Sequence, residues 1–451
     1  MKKKLFIYIF SFILSACSSS SGETLEPEIE PPVSFEKSVA EDDTFTAMED
    51  QENIISNILN NDKVVNNARI TSFDITTTEG GSIEDNRDGT YTYIPQKAFV
   101  GQDTFTYELC DAESTPNCST ATVTITVVDE GSPEATDDIV ATIINTAIVI
   151  DDILANDVVI DDAIIFSVDD SSSLGSVVLN ENGTITYTPS TDFVGQDGFS
   201  YTLCDDDQPE ADCTIANIEV TVLNPIDFTI PTILGDYYDD LVLTTDFNLN
   251  YTEVSSHTKN NHTTILSYGQ RHNFLYNADE DLSNPDNVTL MYSGESRYWE
   301  EYTSGTNSYS PQTFNTEHVY PQSRLRTEDA VTDLHHLRST DAIINEERLN
   351  FPFIEGTGSY GLNGENWYPG DEWKGDVARM IFYLNVRYGE TFDRVGTVEL
   401  FLKWNVEDPV SSFEIQRNNV IQAAQGVRNP FIDNPYIATL IWGGVSAENK
   451  W

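Results

Sequence analysis

Three of the chain's six histidines fall in one stretch, Phe314 to Phe353. It reads FNTEHVYPQSR, then a short polar gap, then TDLHHLRSTDAIINEERLNFPF. His318 follows an acid, Glu317, and precedes Pro321; the segment Asp333 to Leu337 comes next, and Asn345 lies beyond it. An imidazole accepts a proton from water at neutral pH. A glutamate carboxylate and an asparagine amide oxygen are hard donors that suit Mg²⁺ or Ca²⁺. A hard cation beside a general base is the equipment of phosphodiester cleavage, because charge grows on the phosphate and on the leaving oxygen.

Two short strands and a helix must position these groups. Val319 and Tyr320 are β-formers, so His318 belongs to a strand. Adjacent strand residues face opposite sides, so Glu317 and His318 share one site only if the chain bends there. By the same rule at most one of His335 and His336 faces the site, which argues against a two-histidine zinc centre. No cysteine follows Cys213, so a structural zinc site is not expected in this half. AIINEERL has helical character, and a helix there turns Asn345 toward the strand pair. A lone histidine is more often structural than catalytic. The order and spacing of EHVYPQS, DLHHLRSTD and INEERLNFPF are far more specific.

These segments resemble the bacterial endonuclease I and extracellular ribonuclease family, which belongs to the ββα-metal, or His-Me finger, nucleases. The matching pieces are LSYG (266 to 269), NTEHVYPQS (315 to 323), DLHHLRSTD (333 to 341), NEERLNFPF (345 to 353), KGDVARMIFYLNVRY (374 to 388), DPVSSFEIQRNN (408 to 419) and QGVRNPFIDNP (425 to 435). They span most of residues 232 to 445. The resemblance implies that His318 is the general base and that Glu317 and Asn345 hold a divalent metal. That metal is Mg²⁺, with Mn²⁺ or Ca²⁺ as substitutes. The family's phosphate-holding arginine falls on Arg324 or Arg326, with Arg338 as a third candidate. Asp333, His335, His336 and Arg338 are expected to support the site without touching substrate.

In chain order, residues 1–17 form a lipoprotein signal. Lys2, Lys3 and Lys4 give a basic start, and Leu5 to Ile13 is an apolar run short of the roughly 20 residues that span a bilayer. Leu14-Ser15-Ala16-Cys17 resembles a lipobox, which implies lipid attachment at Cys17 and a membrane anchor. Residues 18–38 are rich in serine, glutamate and proline and are expected to be a disordered tether. Residues 39–130 and 134–225 are a repeat: VGQDTFTYELC (100 to 110) returns as VGQDGFSYTLC (194 to 204), and NRDGTYTYIP as NENGTITYTP. Alternating Thr, Val, Ile and Tyr with turns at Asp88-Gly89 and Asn182-Gly183 suggest β-sandwiches. They resemble bacterial immunoglobulin-like or cadherin-like repeats. Two cysteines per repeat in an exported chain imply the disulfides Cys110–Cys118 and Cys204–Cys213. Acidic clusters recur at Glu41-Asp42-Asp43 with Asp137-Asp138, and at Asn61-Asp62 with Asn156-Asp157. They are of a kind that binds Ca²⁺. No complete ligand loop can be read, and a solvated acidic surface is the preferred reading. Residues 230–451 are the nuclease-like domain. Its best helix is Asp376 to Tyr388, with Val377, Met380, Ile381 and Leu384 on one face. Ser411 or Ser412 caps another helix that Gly426 ends.

The formal charge is −52, from 23 basic and 75 acidic residues. This is the wrong sign for long-range attraction to phosphate. Residues 1–225 hold 8 basic and 42 acidic residues, and no Lys or Arg occurs between Lys97 and Lys259, so the repeats are spacers, not nucleic-acid binders. The expected fold is multidomain: two all-β, Ig-like sandwich repeats followed by an α+β His-Me finger nuclease domain. The expected function is a metal-dependent endonuclease of low specificity. It would cut DNA, RNA or both to 5′-phosphate products, exported and lipid-anchored at the bacterial outer membrane or cell surface, or released from it. No protein partner can be read. The rival from another class is a surface adhesion protein with an inactive nuclease-like domain. The presence of the base and both metal positions counts against it.

Overall fold

The computed structural model describes residues 36–451. The signal segment, its Cys17 and most of the 18–38 tether lie outside the described residues. Two compact units result: one reaches to Glu130 and includes Asp207–Glu210, and the other comprises Gly131–Asp206 with Ala211–Trp451. Among the described residues no helix is long and apolar enough to cross a membrane.

The first unit is a β-sandwich. Strands Gly101–Cys110 and Cys118–Val128 form a long antiparallel pair, flanked by Arg69–Phe73 and, in parallel, by Asp43–Met48. A second sheet orders Asn53–Ile55, Tyr91–Ile94 and Ser82–Asp85. Phe105, Tyr107 and Leu109 alternate inward and meet Val123, Ile125 and Val127 in the core. Apolar and polar residues alternate along these strands, and burying one face is what fixes the register. The second unit opens with the same design: Gly195–Cys204 pairs with Cys213–Leu223, around a core of Phe199, Tyr201, Ile218 and Val220. The tight turn before each inner strand puts Gly89 at φ +93° and Gly183 at φ +83°, where a side chain would be strained. Both disulfides are present, Cys110–Cys118 and Cys204–Cys213, each joining residues directly opposite on the long pair.

The C-terminal part is α+β. Its central helix, Lys374–Tyr388, is buried all round rather than along one stripe. Val377, Ile381 and Leu384 belong to the main apolar core, as expected. The opposite side is buried too, because its charged residues are paired. Arg379 Nε and Nη2 donate to Glu414 at 2.6 and 2.9 Å, and Asp376 accepts from Arg338 at 3.1 Å. Helix Ser412–Gln425 starts in a capping box: Ser411 Oγ accepts from the Glu414 N–H, and Glu414 accepts from the Ser411 N–H. Gly426 ends it at φ +86°, where a Cβ would come within 2.6 Å of Asn261 O.

Candidate active site

The histidine strand, Phe314–His318, pairs antiparallel with a return strand, Leu337–Asp341, with Glu317 opposite Arg338 and His318 opposite Leu337. A short helix, Ala342–Arg348, follows directly. Its cap, Asp341, accepts hydrogen bonds from the N–H groups of Ile343 and Ile344 at 2.8 and 3.1 Å. This is the two-strand and helix arrangement the sequence called for.

The ladder keeps its register through His318, so the expected bend is not between Glu317 and His318. It lies just beyond, at Val319 and Tyr320. At the strand's end Glu317 and His318 both border one open cavity of about 530 Å³, together with Thr316, Gln322, Ser323, Asn345 and Asn350. Glu317 is 3% exposed. Its Oε1 accepts from the Tyr292 hydroxyl at 3.0 Å and lies 3.4 Å from Arg348 Nε. Burial outweighs these partners and pushes the carboxyl up to about 7. His318 Nε2 meets the Val331 carbonyl at 3.0 Å. A carbonyl only accepts, so Nε2 carries the hydrogen and the lone pair is on Nδ1. Burial, reinforced by His336, takes His318 down to about 3, so the ring is neutral at pH 7.

Asn345 Nδ2 donates to Asn315 Oδ1 at 2.7 Å and to the Thr316 carbonyl at 3.2 Å. Both amide hydrogens are thereby used, which fixes the flip and leaves Oδ1 as a free acceptor. Glu317 and Asn345 border the same cavity and both offer hard oxygen donors of the kind a divalent cation takes, and such an ion would also offset the cost of a buried carboxylate.

The remaining expected site residues are placed as follows. Arg324 does not line the cavity but follows Ser323, which does, and its Nε donates to Asn350 O at 2.8 Å and its Nη1 to Arg394 O at 2.6 Å. Arg326 is exposed and does not border the cavity. Arg338 is fully buried, bound to Asp279 at 3.2 Å and Asp376 at 3.1 Å, so it cannot reach a substrate phosphate. His335 and His336 are both buried, donating from Nε2 to Val427 O and Ala330 O; neither borders the cavity. Asp333 accepts from Tyr383 at 2.9 Å, Tyr388 at 2.8 Å and Gln425 at 3.1 Å, which ties the turn before the return strand to two helices. Sequence reasoning missed Arg348 and Tyr292. Arg348 was findable, since it lies three residues after Asn345 and therefore on a neighbouring face of the same helix. Tyr292 carries no local signal, because only tertiary packing brings it to Glu317.

In the repeats, Asn61 Nδ2 donates to the Asp42 carbonyl at 2.9 Å and Asp62 accepts from the Tyr107 hydroxyl at 2.9 Å. Asn156 and Tyr201 repeat this with Asp137 and Asp157. These residues tie turns to strands. Asp43 and Asp138 differ: burial, with a negative neighbour alongside, pushes each up to about 6, and each keeps a buried Oδ2 without a hydrogen-bond partner.

Residues 249–436 match the Endonuclease I family model, residues 36–129 a bacterial cadherin-like domain and residues 130–221 a bacterial Ig domain. The chain is 40% identical over 215 residues to an extracellular ribonuclease of Bacillus amyloliquefaciens, covering 42% of this chain and 71% of that protein. It is 38% identical over 205 residues to the extracellular ribonuclease of Bacillus subtilis (strain 168), covering 40% and 69%. An Endonuclease-1 of Buchnera aphidicola subsp. Baizongia pistaciae (strain Bp) is 33% identical over 130 residues, covering 26% and 51%. The same C-terminal stretch carries the cavity and this likeness, and the chain belongs to the endonuclease I family of nucleases, its nuclease domain preceded by a bacterial cadherin-like and a bacterial Ig domain.

Proposed function

We propose that the C-terminal domain hydrolyses phosphodiester bonds of both RNA and DNA, with His318 as general base and Glu317 and Asn345 as the holders of a divalent cation. One observation supports this above the others: His318 presents a neutral imidazole, its Nε2 committed to Val331, at a cavity that Glu317 and Asn345 also border. His318 Nδ1 takes a proton from water, and the hydroxide attacks phosphorus while the 3′-oxygen leaves. A bound Mg²⁺-like ion supplies a Lewis acid for the charge on phosphate and leaving oxygen. Tyr292 and Arg348 hold Glu317 in place, and Asn315 fixes the Asn345 amide. Of the three candidate arginines, Arg324 is the one hydrogen-bonded to a residue of the cavity wall, Asn350, which favours it as the phosphate-holding group.

Attack by water needs no 2′-hydroxyl, so RNA and DNA are both substrates. The ribonuclease names of two relatives and the endonuclease name of the third are compatible with this. The test is end-group analysis of the products. The reading expects 5′-phosphate and 3′-hydroxyl ends on both substrates; 2′,3′-cyclic phosphates would overturn it. We further propose that residues 1–17 export the chain and anchor it through Cys17, with 18–38 as tether, 39–130 and 134–225 as spacers and 230–451 as the nuclease domain. Incorporation of labelled palmitate, lost in Cys17→Ser, tests the anchor. A Ca²⁺ ion beside Asp43, and another beside Asp138, would offset the cost of burying each carboxylate. Unchanged melting midpoints of the repeats with and without Ca²⁺ would contradict that.

A further inference from the structure

A second open cavity, of about 590 Å³, lies in the nuclease domain and takes no part in the chemistry above. Four aromatic side chains, His272, Tyr276, Trp299 and Tyr302, are among its lining residues. The Tyr276 and Tyr302 rings stack at 5.4 Å, and His272 is tilted against Tyr302 at 6.2 Å and Tyr276 at 5.9 Å. Trp299 stands 6.5 Å from Tyr276 and is 40% exposed. An aromatic group whose job is packing is covered; this one is open, with Tyr276, Tyr302 and His272 half-buried. No lysine or arginine lines the cavity, whereas Glu280 and the amides of Asn273 and Asn287 do. A phosphate is therefore not its ligand. A flat, neutral ring with hydrogen-bonding edges is, because bases stack on aromatic side chains irrespective of sequence.

The cavity is joined to the catalytic strand. Tyr302 bridges Phe314, Thr303 N donates to Phe314 O at 2.7 Å, and the Tyr276 ring packs edge-on against Phe314 at 5.7 Å. Phe314 begins the strand that ends at His318. At roughly 3.3 Å per residue the two ends are about 13 Å apart, within reach of neighbouring nucleotides on one strand. A base held in a duplex has both faces covered and cannot enter.

We propose that His272, Tyr276, Trp299 and Tyr302 form a binding site for an unpaired nucleobase of the substrate strand, so that the enzyme acts on single-stranded and looped nucleic acid in preference to duplex. The inference rests on the nuclease reading of the His318 site, and two measurements keep the two apart. The first is steady-state cleavage, with Mg²⁺, of a labelled single-stranded oligonucleotide and of the blunt duplex of the same sequence, by the full chain, Trp299→Ala and Trp299→Phe. Trp299→Ala should raise KM for the single strand about 10-fold or more, leave kcat and duplex cleavage unchanged, and be rescued by Trp299→Phe. The second is fluorescence anisotropy of the same single strand, in Mg²⁺, with His318→Ala, which is expected to bind without cleaving, and with His318→Ala/Trp299→Ala. The double variant should bind about 10-fold more weakly. Cleavage and binding that ignore Trp299 overturn the pocket and leave the nuclease reading standing. Trp299-dependent binding in the His318→Ala background, with a wild-type chain that cleaves nothing, supports the pocket and overturns the nuclease reading.

Discussion

Tyr292 donates its hydroxyl hydrogen to Glu317 Oε1, so under the proposed mechanism it orients a metal ligand without being one. Groups behind a ligand typically tune affinity 10- to 100-fold. Tyr292→Phe keeps the ring in its apolar site and removes only the bond. We expect the Mg²⁺ concentration for half-maximal cleavage to rise about 10-fold, with kcat at saturating Mg²⁺ retained. An unchanged Mg²⁺ dependence would contradict the role. The histidines make a second prediction. Burial holds all six below the ordinary value of free imidazole. For His335, which is 2% exposed, the folded value is about 4 against 6.5 unfolded. The imidazole is thus neutral in the fold and gains a proton on unfolding. Its stabilising contribution is complete above pH 6.5 and is lost as pH falls toward 4. That amounts to about 3 kcal/mol at 1.36 kcal/mol per pH unit. Urea unfolding of the nuclease domain at pH 7 and pH 4.5 should show a smaller acid loss in His335→Gln than in wild type; equal losses would contradict it.

The two strands and helix that carry Glu317, His318 and Asn345 were legible in the sequence, because each element announces itself locally. The β-formers Val319 and Tyr320 signalled a strand that ends just before them at His318, and AIINEERL signalled the helix Ala342–Arg348. What holds those elements against one another was not legible. Asp279 accepts from Arg417, from Arg338 Nε at 3.2 Å and from the Ser339 N–H at 2.6 Å, while Arg417 Nη2 donates to the Leu334 and Leu337 carbonyls at 2.9 and 3.0 Å. Asp279 and Arg417 are 138 residues apart. Along the chain such charges look like solvated faces, and only the tertiary fold buries them. The same blindness made Arg338 a phosphate candidate and hid Tyr292. The network is a structural clamp on the return strand. Removing Arg417 leaves the buried Asp279 with Arg338 as its one remaining cation and strips the Leu334 and Leu337 carbonyls of their donor, and breaking a buried ion pair of this kind costs about 3–5 kcal/mol. Arg417→Leu should lower the unfolding free energy of the nuclease domain by that amount; a loss below about 1 kcal/mol would show that the return strand does not depend on it.

Across the whole molecule, charge and covalent chemistry divide the labour. The repeats carry all four disulfide cysteines, and no cysteine follows Cys213. Each bridge closes a short loop, with partners 8 and 9 residues apart, which in the chain-entropy account is worth about 2–3 kcal/mol. Reduction should therefore lower the melting of the repeats and leave the rate of nucleic-acid cleavage unchanged; a parallel loss of cleavage would mean the nuclease domain leans on the repeats. The acidity, −52 overall, is the wrong sign for a basic, phosphate-attracting surface, so the proposed mechanism relies on local groups and a cation for substrate contact. That concentrates the account on one imidazole. The decisive measurement compares the full chain with His318→Ala, each incubated with plasmid DNA and with structured RNA, in Mg²⁺ or in EDTA, and read on gels, with circular dichroism to show that both are folded. Mg²⁺-dependent degradation of both substrates by the wild-type chain, abolished in His318→Ala, is the result expected. Undiminished cleavage by a folded His318→Ala would contradict it.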